Sequence, residues 1–174
     1  MMIKGKIRGT ILNGYINYIK RNWGQKGITD FEEYLGESVD QINESEWYNS
    51  DLLKKAHLFI ADKGPDHVRL AGQYEIQNLG LLSYLVKYFN VKTLLKKAPK
   101  NYKEGFSYGE SEIEIGDKEA VVKLKNVMID QHVCDAWQGV LEGALKATNT
   151  EGVVKPIFPE DRGEFDCFYK VEWK

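Results

Sequence analysis

Two cysteines, three histidines and four tryptophans carry most of the specific chemistry this chain has available. A thiolate pair can ligate zinc or close a disulfide, an imidazole can act as a base or a metal ligand, and an indole offers a large apolar plate with one donor. Cys134 stands one helical turn before Trp137, and Cys167 alternates with Phe165 and Tyr169, so both thiols fall on apolar faces where they behave as small hydrophobes. Three roles stay open for them: core residues in contact, the lining of a pocket, or a redox-sensitive pair. Two cysteines are too few for the disulfide framework of a secreted mini-domain, and reduced thiols are expected. Trp137 is the first pocket candidate because it shares a face with Cys134, and Trp47 is the second. Cys134, Cys167, Trp137 and Trp47 therefore make up the expected ligand-binding set.

The histidines suggest less. His57 lies beside the apolar face of its helix and reads as a boundary residue, while His67 sits near a helix start and reads as solvated. No nucleophile elbow, phosphate-cradling Gly-x-x-x-x-Gly-Lys run or dinucleotide fingerprint occurs. No catalytic residue is assigned, and a non-catalytic role is expected.

The elements that must position these residues change character along the chain. From residue 10 to 105 apolar positions recur at three and four, the helical period. Ile11, Tyr15, Ile19 and Trp23 form the stripe of a first helix ended by Gly24, and a short helix follows over Thr29 to Leu35. Asn49 or Ser50 caps a helix bearing Leu53, Ala56, Phe59 and Ile60, which Gly64 stops. Pro65 opens another through Val68, Ala71 and Tyr74 toward Leu79, and the apolar run LLSYLVKYF follows. Asn90 starts an amphipathic stretch that Pro99 is expected to kink or split. From residue 106 the period becomes two. Ser111, Ile113 and Ile115 alternate with Glu110, Glu112 and Glu114, Gly116-Asp117 turns the chain, and Ala120 to Val127 returns. Lys123 and Lys125 on the returning strand are placed to neutralise that acidic face. Asp130 caps a helix with Val133, Trp137, Val140, Leu141 and Ala144 on one face, flanked by Gly139 and Gly143. Val153 to Phe158 can form a strand that Pro156 and Pro159 confine to an edge or an irregular course, and Phe165, Cys167, Tyr169, Val171 and Trp173 share one face of the last strand. The expected fold is α+β, with N-terminal helices packed on a C-terminal antiparallel sheet of about four strands in the order β-β-α-β-β. One domain over residues 1–174 is expected.

Four segments resemble the superfamily of 4-vinyl reductase domains, haem-NO-binding domains and vesicle-tethering subunits. TLLKKAPKNYKEGFSYG is similar to the family's Leu-Leu-basic-basic-Ala-Pro helix and the following strand. EWYNSDLL resembles its Trp-Tyr approach to a helix, CDAWQGVLEGALK its Cys-containing helix with two spaced glycines, and GEFDCFYKVEW its closing Gly-x-x-x-Cys strand. The resemblance implies a small-molecule-binding or dimerising module. Its haem branch needs an axial histidine in the helix before the hairpin and a Tyr-x-Ser-x-Arg run; both are missing here, so haem is not expected. Its metal-binding members use Cys, Glu-x-x-Cys and a final Cys. By resemblance Cys134 and Cys167 fill the outer positions, but Pro156 and Pro159 fall on the others and have no side-chain donor. His132, Glu160 and Asp161 are the nearby substitutes, so zinc has an incomplete ligand set and no cofactor is assigned.

Twenty-four basic and 26 acidic side chains give a formal charge of −2, which supplies no global attraction to nucleic acid. The N-terminal stretch MMIKGKIRGTILNGYINYIK has no unbroken apolar run, so neither a leader nor a membrane span is expected, and the location expected is cytoplasmic. The function expected is a sensor or carrier of a small hydrophobic or aromatic molecule, working as a homodimer. The alternatives are an assembly module of the tethering type and a 4-vinyl-reductase-like enzyme.

Overall fold

The computed structural model describes residues 4–77 and 90–174. The LLSYLVKYF run and Leu79 lie outside them. The fold is α+β. Strand β1, Lys6–Arg8, leads directly into helix α1, Gly9–Leu35, and pairs antiparallel with β2, Trp47–Asn49. Three-residue strands are too short to show a period, and no local pattern marks this ribbon. Helix α1 joins the two helices expected there. It bends at Gly24, whose φ of +64° suits a residue without a Cβ, and resumes to bury Ile28 and Phe31.

Helix α2, Asp51–Ala61, begins after Ser50, and of the two expected caps it is the Asn49 side chain, not that of Ser50, that accepts from its first turn. Asn49 Oδ1 accepts from the Asp51 N–H at 2.9 Å, and Ser50 Oγ instead accepts from the Gly5 N–H at 3.1 Å, tying the ribbon to α2. Helix α3, His67–Gln77, lies against α5, Val133–Ala147, almost backbone to backbone. A Cβ on Gly139 would stand 1.9 Å from the Arg69 carbonyl oxygen, and one on Gly143 would stand 2.7 Å from that of Gln73. The two contacts advance together along both chains, so these helices run in the same direction.

Helix α4, Val91–Gly105, is capped by Asn90, whose side chain accepts from the Thr93 N–H at 2.8 Å. It continues through Pro99 as one helix, so of the expected kink or split the split does not occur. The expected hairpin is formed by β3, Glu110–Ile115, and β4, Glu119–Lys125, in a register that sets Ile113 opposite Val122. Strands β5, Gly152–Ile157, and β6, Cys167–Trp173, complete an antiparallel sheet in the order β3-β4-β6-β5. Pro156 lies on an edge strand, where a missing ladder donor is tolerated. Val122, Leu124, Tyr169 and Val171 of the sheet join Ile19, Ile60 and Val68 of the helices in one buried cluster. Among the described residues no helix is long and apolar enough to cross a membrane.

Candidate functional site

The helical repeat of α2 carries His57 into the interior, because it follows Leu53 by four residues and precedes Ile60 by three, and both of these are buried. The side chain of His57 is 2% exposed and that of Asp130 only 1%, with His57 Nδ1 lying 2.9 Å from Asp130 Oδ2. His57 is therefore not the boundary residue its position suggested. Asp130 is also more than a helix cap: its Oδ1 accepts from the His132 N–H at 2.7 Å, just before α5, while its Oδ2 faces the imidazole. The Tyr15 and His57 rings pack edge to face, with centroids 5.0 Å apart. The other ring nitrogen, Nε2, is buried and has no hydrogen-bond partner among the described residues. Leaving such an atom unpaired costs about 1–3 kcal/mol.

A second buried carboxyl comes from α3. Glu75 is 8% exposed and lies against α1 where Gly14 leaves space; a Cβ there would fall 1.3 Å from Glu75 Oε2. Burial pushes the Glu75 carboxyl well above its ordinary range. The Tyr15 phenol is raised too, first by burial and then by the nearby Glu75, Asp130 and Tyr108. Tyr108 is raised by burial and by Tyr102 and Asp130. His57, Asp130, Tyr15, Glu75 and Tyr108 thus form a polar cluster in the seam between the helices and the segment leading into α5.

Aromatic rings continue from this cluster. Phe106 packs on Tyr108 at 5.8 Å and on Tyr102 at 4.8 Å, and Trp137 lies 5.5 Å from both Tyr102 and Phe106. Tyr102 Oη donates to the Tyr108 carbonyl at 2.8 Å, which fixes the end of α4 to the start of the hairpin.

The structure brings together three of the four expected ligand-binding residues. Trp137 stands in the aromatic group, one turn beyond Cys134, and Cys134 is joined to Cys167 by a disulfide across 5.5 Å between Cα atoms. The expected reduced thiols are thereby corrected: the inward face of α5 meets the inward face of β6 at bonding distance. Two bonded sulfurs are not thiolates and supply no zinc ligand in this state. Among the described residues no group of three His, Cys, Asp or Glu side chains is placed to hold a metal. Trp47 lies apart on β2, 36% exposed, with the Arg8 guanidinium 4.4 Å above its ring. His67 is held rather than simply solvated, its Nδ1 lying 2.8 Å from Tyr18 Oη. Surface clefts of about 300 and 350 Å³ open beside Val91 and Trp173, and beside Asn13 and Val39, neither being lined by Trp137 or Trp47.

The fold is that of haem-NO-binding, or H-NOX, domains. A Cs H-NOX mutant carrying 4-cyano-L-phenylalanine superposes with a TM-score of 0.77 at 14% identity, over 97% of each chain. An oxygen-binding H-NOX domain related to soluble guanylate cyclases, solved as its oxygen complex, gives 0.74 at 13% identity over 97% of this chain and 95% of that one. A mutant H-NOX of T. Tengcongensis gives 0.73 at 16% identity over 97% and 98%. At these identities the likeness is one of fold. The chain belongs to the family described as Protein of unknown function (DUF2378), whose model matches residues 78–174. No protein with a curated description matches its sequence.

The residues present do not fit a haem. Helix α4, which precedes the hairpin, contains no histidine, and its buried Tyr102 stacks on Phe106 and packs tilted against Trp137. The buried histidine whose Nε2 has no partner among the described residues is on α2 instead.

Proposed function

We propose that this chain is a non-catalytic module that binds a small, largely apolar molecule in the seam between helices and sheet. The observation that carries this reading is the run from a buried polar cluster, His57, Asp130, Tyr15 and Glu75, through Tyr108 to the packed rings of Phe106, Tyr102 and Trp137. Apolar walls with a few convergent polar groups are the usual make-up of a small-ligand site. The Cys134–Cys167 bridge holds the helix bearing Trp137 to the sheet, so the two cysteines act as a brace beside the wall. Trp47 plays its part at the surface, as the plate beneath Arg8. Residues 1–174 act as one domain. In the cytoplasm, the location we favour, the bridge would be a redox-responsive one.

A second reading, a homodimeric assembly module, is favoured by the large apolar groups beside edge strand β5. Val153 is 50% exposed and Phe158 is 71% exposed. Native mass spectrometry of protein purified from its source cells, repeated under denaturing conditions with elemental analysis, separates the two. An organic mass that is lost on denaturation is the expected result. A dimer with no such mass would overturn the binding reading in favour of assembly.

A further inference from the structure

The bend at Gly24 gives α1 a second working face. Asn13, Ile16, Asn17 and Lys20 follow one another at three and four residues, a stripe distinct from the buried one of Leu12, Tyr15 and Ile19. Beyond the bend, Gln25 and Ile28 join them in lining a cleft of about 350 Å³. Val39, Asp40, Ile42 and Glu44, in the segment that returns after α1, make its opposite wall. That wall is held by bonds that leave its charged groups unused. Glu32 Oε1 accepts from the Ser38 hydroxyl at 2.7 Å and from the Val39 N–H at 2.9 Å, and Asn13 Nδ2 donates to the Ile42 carbonyl at 3.4 Å. The Glu44 carbonyl accepts from the Thr10 N–H at 3.1 Å and from its hydroxyl at 2.9 Å. A wall tied at three points has little freedom left to lose when a ligand enters.

The two walls carry opposite charges that do not meet. Lys20 stands on the helix side and Asp40 and Glu44 on the other, yet no ion pair joins them among the described residues. The amide side chains of Asn17 and Gln25 make no hydrogen bond there either. A simple anion would find one lysine against two carboxylates, and a simple cation would find the lysine in its way. A sugar would use the amides and leave all three charges idle. A molecule with both charges a few bonds apart answers both walls. The apolar floor of Ile16, Ile28, Val39 and Ile42 then takes a hydrocarbon side chain.

We propose that this cleft binds a free α-amino acid with an aliphatic side chain, its carboxylate on Lys20 and its ammonium between Asp40 and Glu44. The site is separate from the seam and does not depend on the ligand proposed there. No bond is made or broken.

L-Leucine, L-isoleucine and L-valine are titrated into the full 15N-labelled chain, and backbone amide spectra read the site. At least one should shift the signals of residues 13–20 and 39–44 saturably, with a dissociation constant no weaker than millimolar. The amide and the N-acetyl form of that amino acid each lack one charge, and each should bind roughly tenfold more weakly. Lys20→Met should erase the preference for the free acid over its amide, and Asp40→Asn combined with Glu44→Gln the preference for the free amine over its N-acetyl form. All three positions are exposed, so thermal unfolding of these variants should match the wild type. No saturable shift with any of the three amino acids would overturn the proposal, as would shifts confined to other residues. Equal binding of the charged and capped forms, or preferences that survive the substitutions, would also overturn it.

Discussion

The outer face of the hairpin and the interior seam hold similar polar side chains under opposite conditions. On the hairpin, Lys125 meets Glu112 at 2.9 Å and Lys123 meets Glu114, all in contact with water. In the seam, His57 meets Asp130 at the same distance with almost no exposure, and Glu75 lies buried against Gly14. Exposed pairs gain little because water already solvates both partners; a buried group must be satisfied by the protein or left unpaired. The difference separates polar groups that keep the surface wet from polar groups that specify an interior arrangement.

The largest test of this contrast is Asp130→Ala. It would take the partner from the buried His57 ring and the acceptor from the half-buried His132 N–H, for a total loss of about 4 kcal/mol, most of it at the buried pair. Urea unfolding should show a lower midpoint with an unchanged slope. A loss no larger than that of a surface variant would remove the distinction between the regions. The Cys134–Cys167 bridge should come next. It closes a loop between residues 33 apart, so the Cys134→Ala/Cys167→Ala double variant should lose about 3 kcal/mol. Thiol titration under denaturing conditions checks the bond itself, and two free thiols in protein purified without reductant would remove it from the account.

Legibility in the sequence follows the same divide. The hairpin could be read because alternation and a Gly-Asp turn are local, and so could the edge position of the strand bearing Pro156. The seam could not, since His57 and Asp130 lie 73 residues apart and each has an adequate local role, as a helix-boundary residue and as a cap. Leu53, His57 and Ile60 on one helical face were the available sign that the imidazole points inward. Glu75 gave no sign at all, because its place depends on the absence of a side chain at Gly14. The two cysteines were placed on apolar faces correctly; their bonding depends on how closely α5 approaches β6, which no period encodes.

Glu75 gives a test of opposite sign from that of an ordinary surface acid. Burial raises its folded-state pKa above the ordinary value of 4.5. Below that value both states hold the proton and Glu75 adds no pH dependence. Above it the unfolded chain ionises first, so stability is lost as pH rises toward the folded-state value, by up to about 1.4 kcal/mol per pH unit for one proton. Urea midpoints across this range should fall for the wild type, and Glu75→Gln should remove that component. An identical pH dependence in both proteins would mean that the carboxyl is not held uncharged.

The smallest effect belongs to the sheet, at Glu172, whose pKa is lowered chiefly by its hydrogen bonds to Lys155 and Lys170. Here the sign reverses: any stabilisation is present above the ordinary carboxyl value and is lost as pH falls through the lowered one. Because Glu172 and both of its lysines are in contact with water, Glu172→Gln should shift the urea midpoint at neutral pH by no more than the scatter of the measurement. Whatever shift remains should disappear in high salt, which screens exposed pairs much more than buried ones. The same salt should leave the Asp130→Ala loss nearly unchanged, since most of that loss arises at a buried pair. A salt-resistant effect at Glu172 would place this sheet pair in the same energetic class as the seam and end the comparison between them.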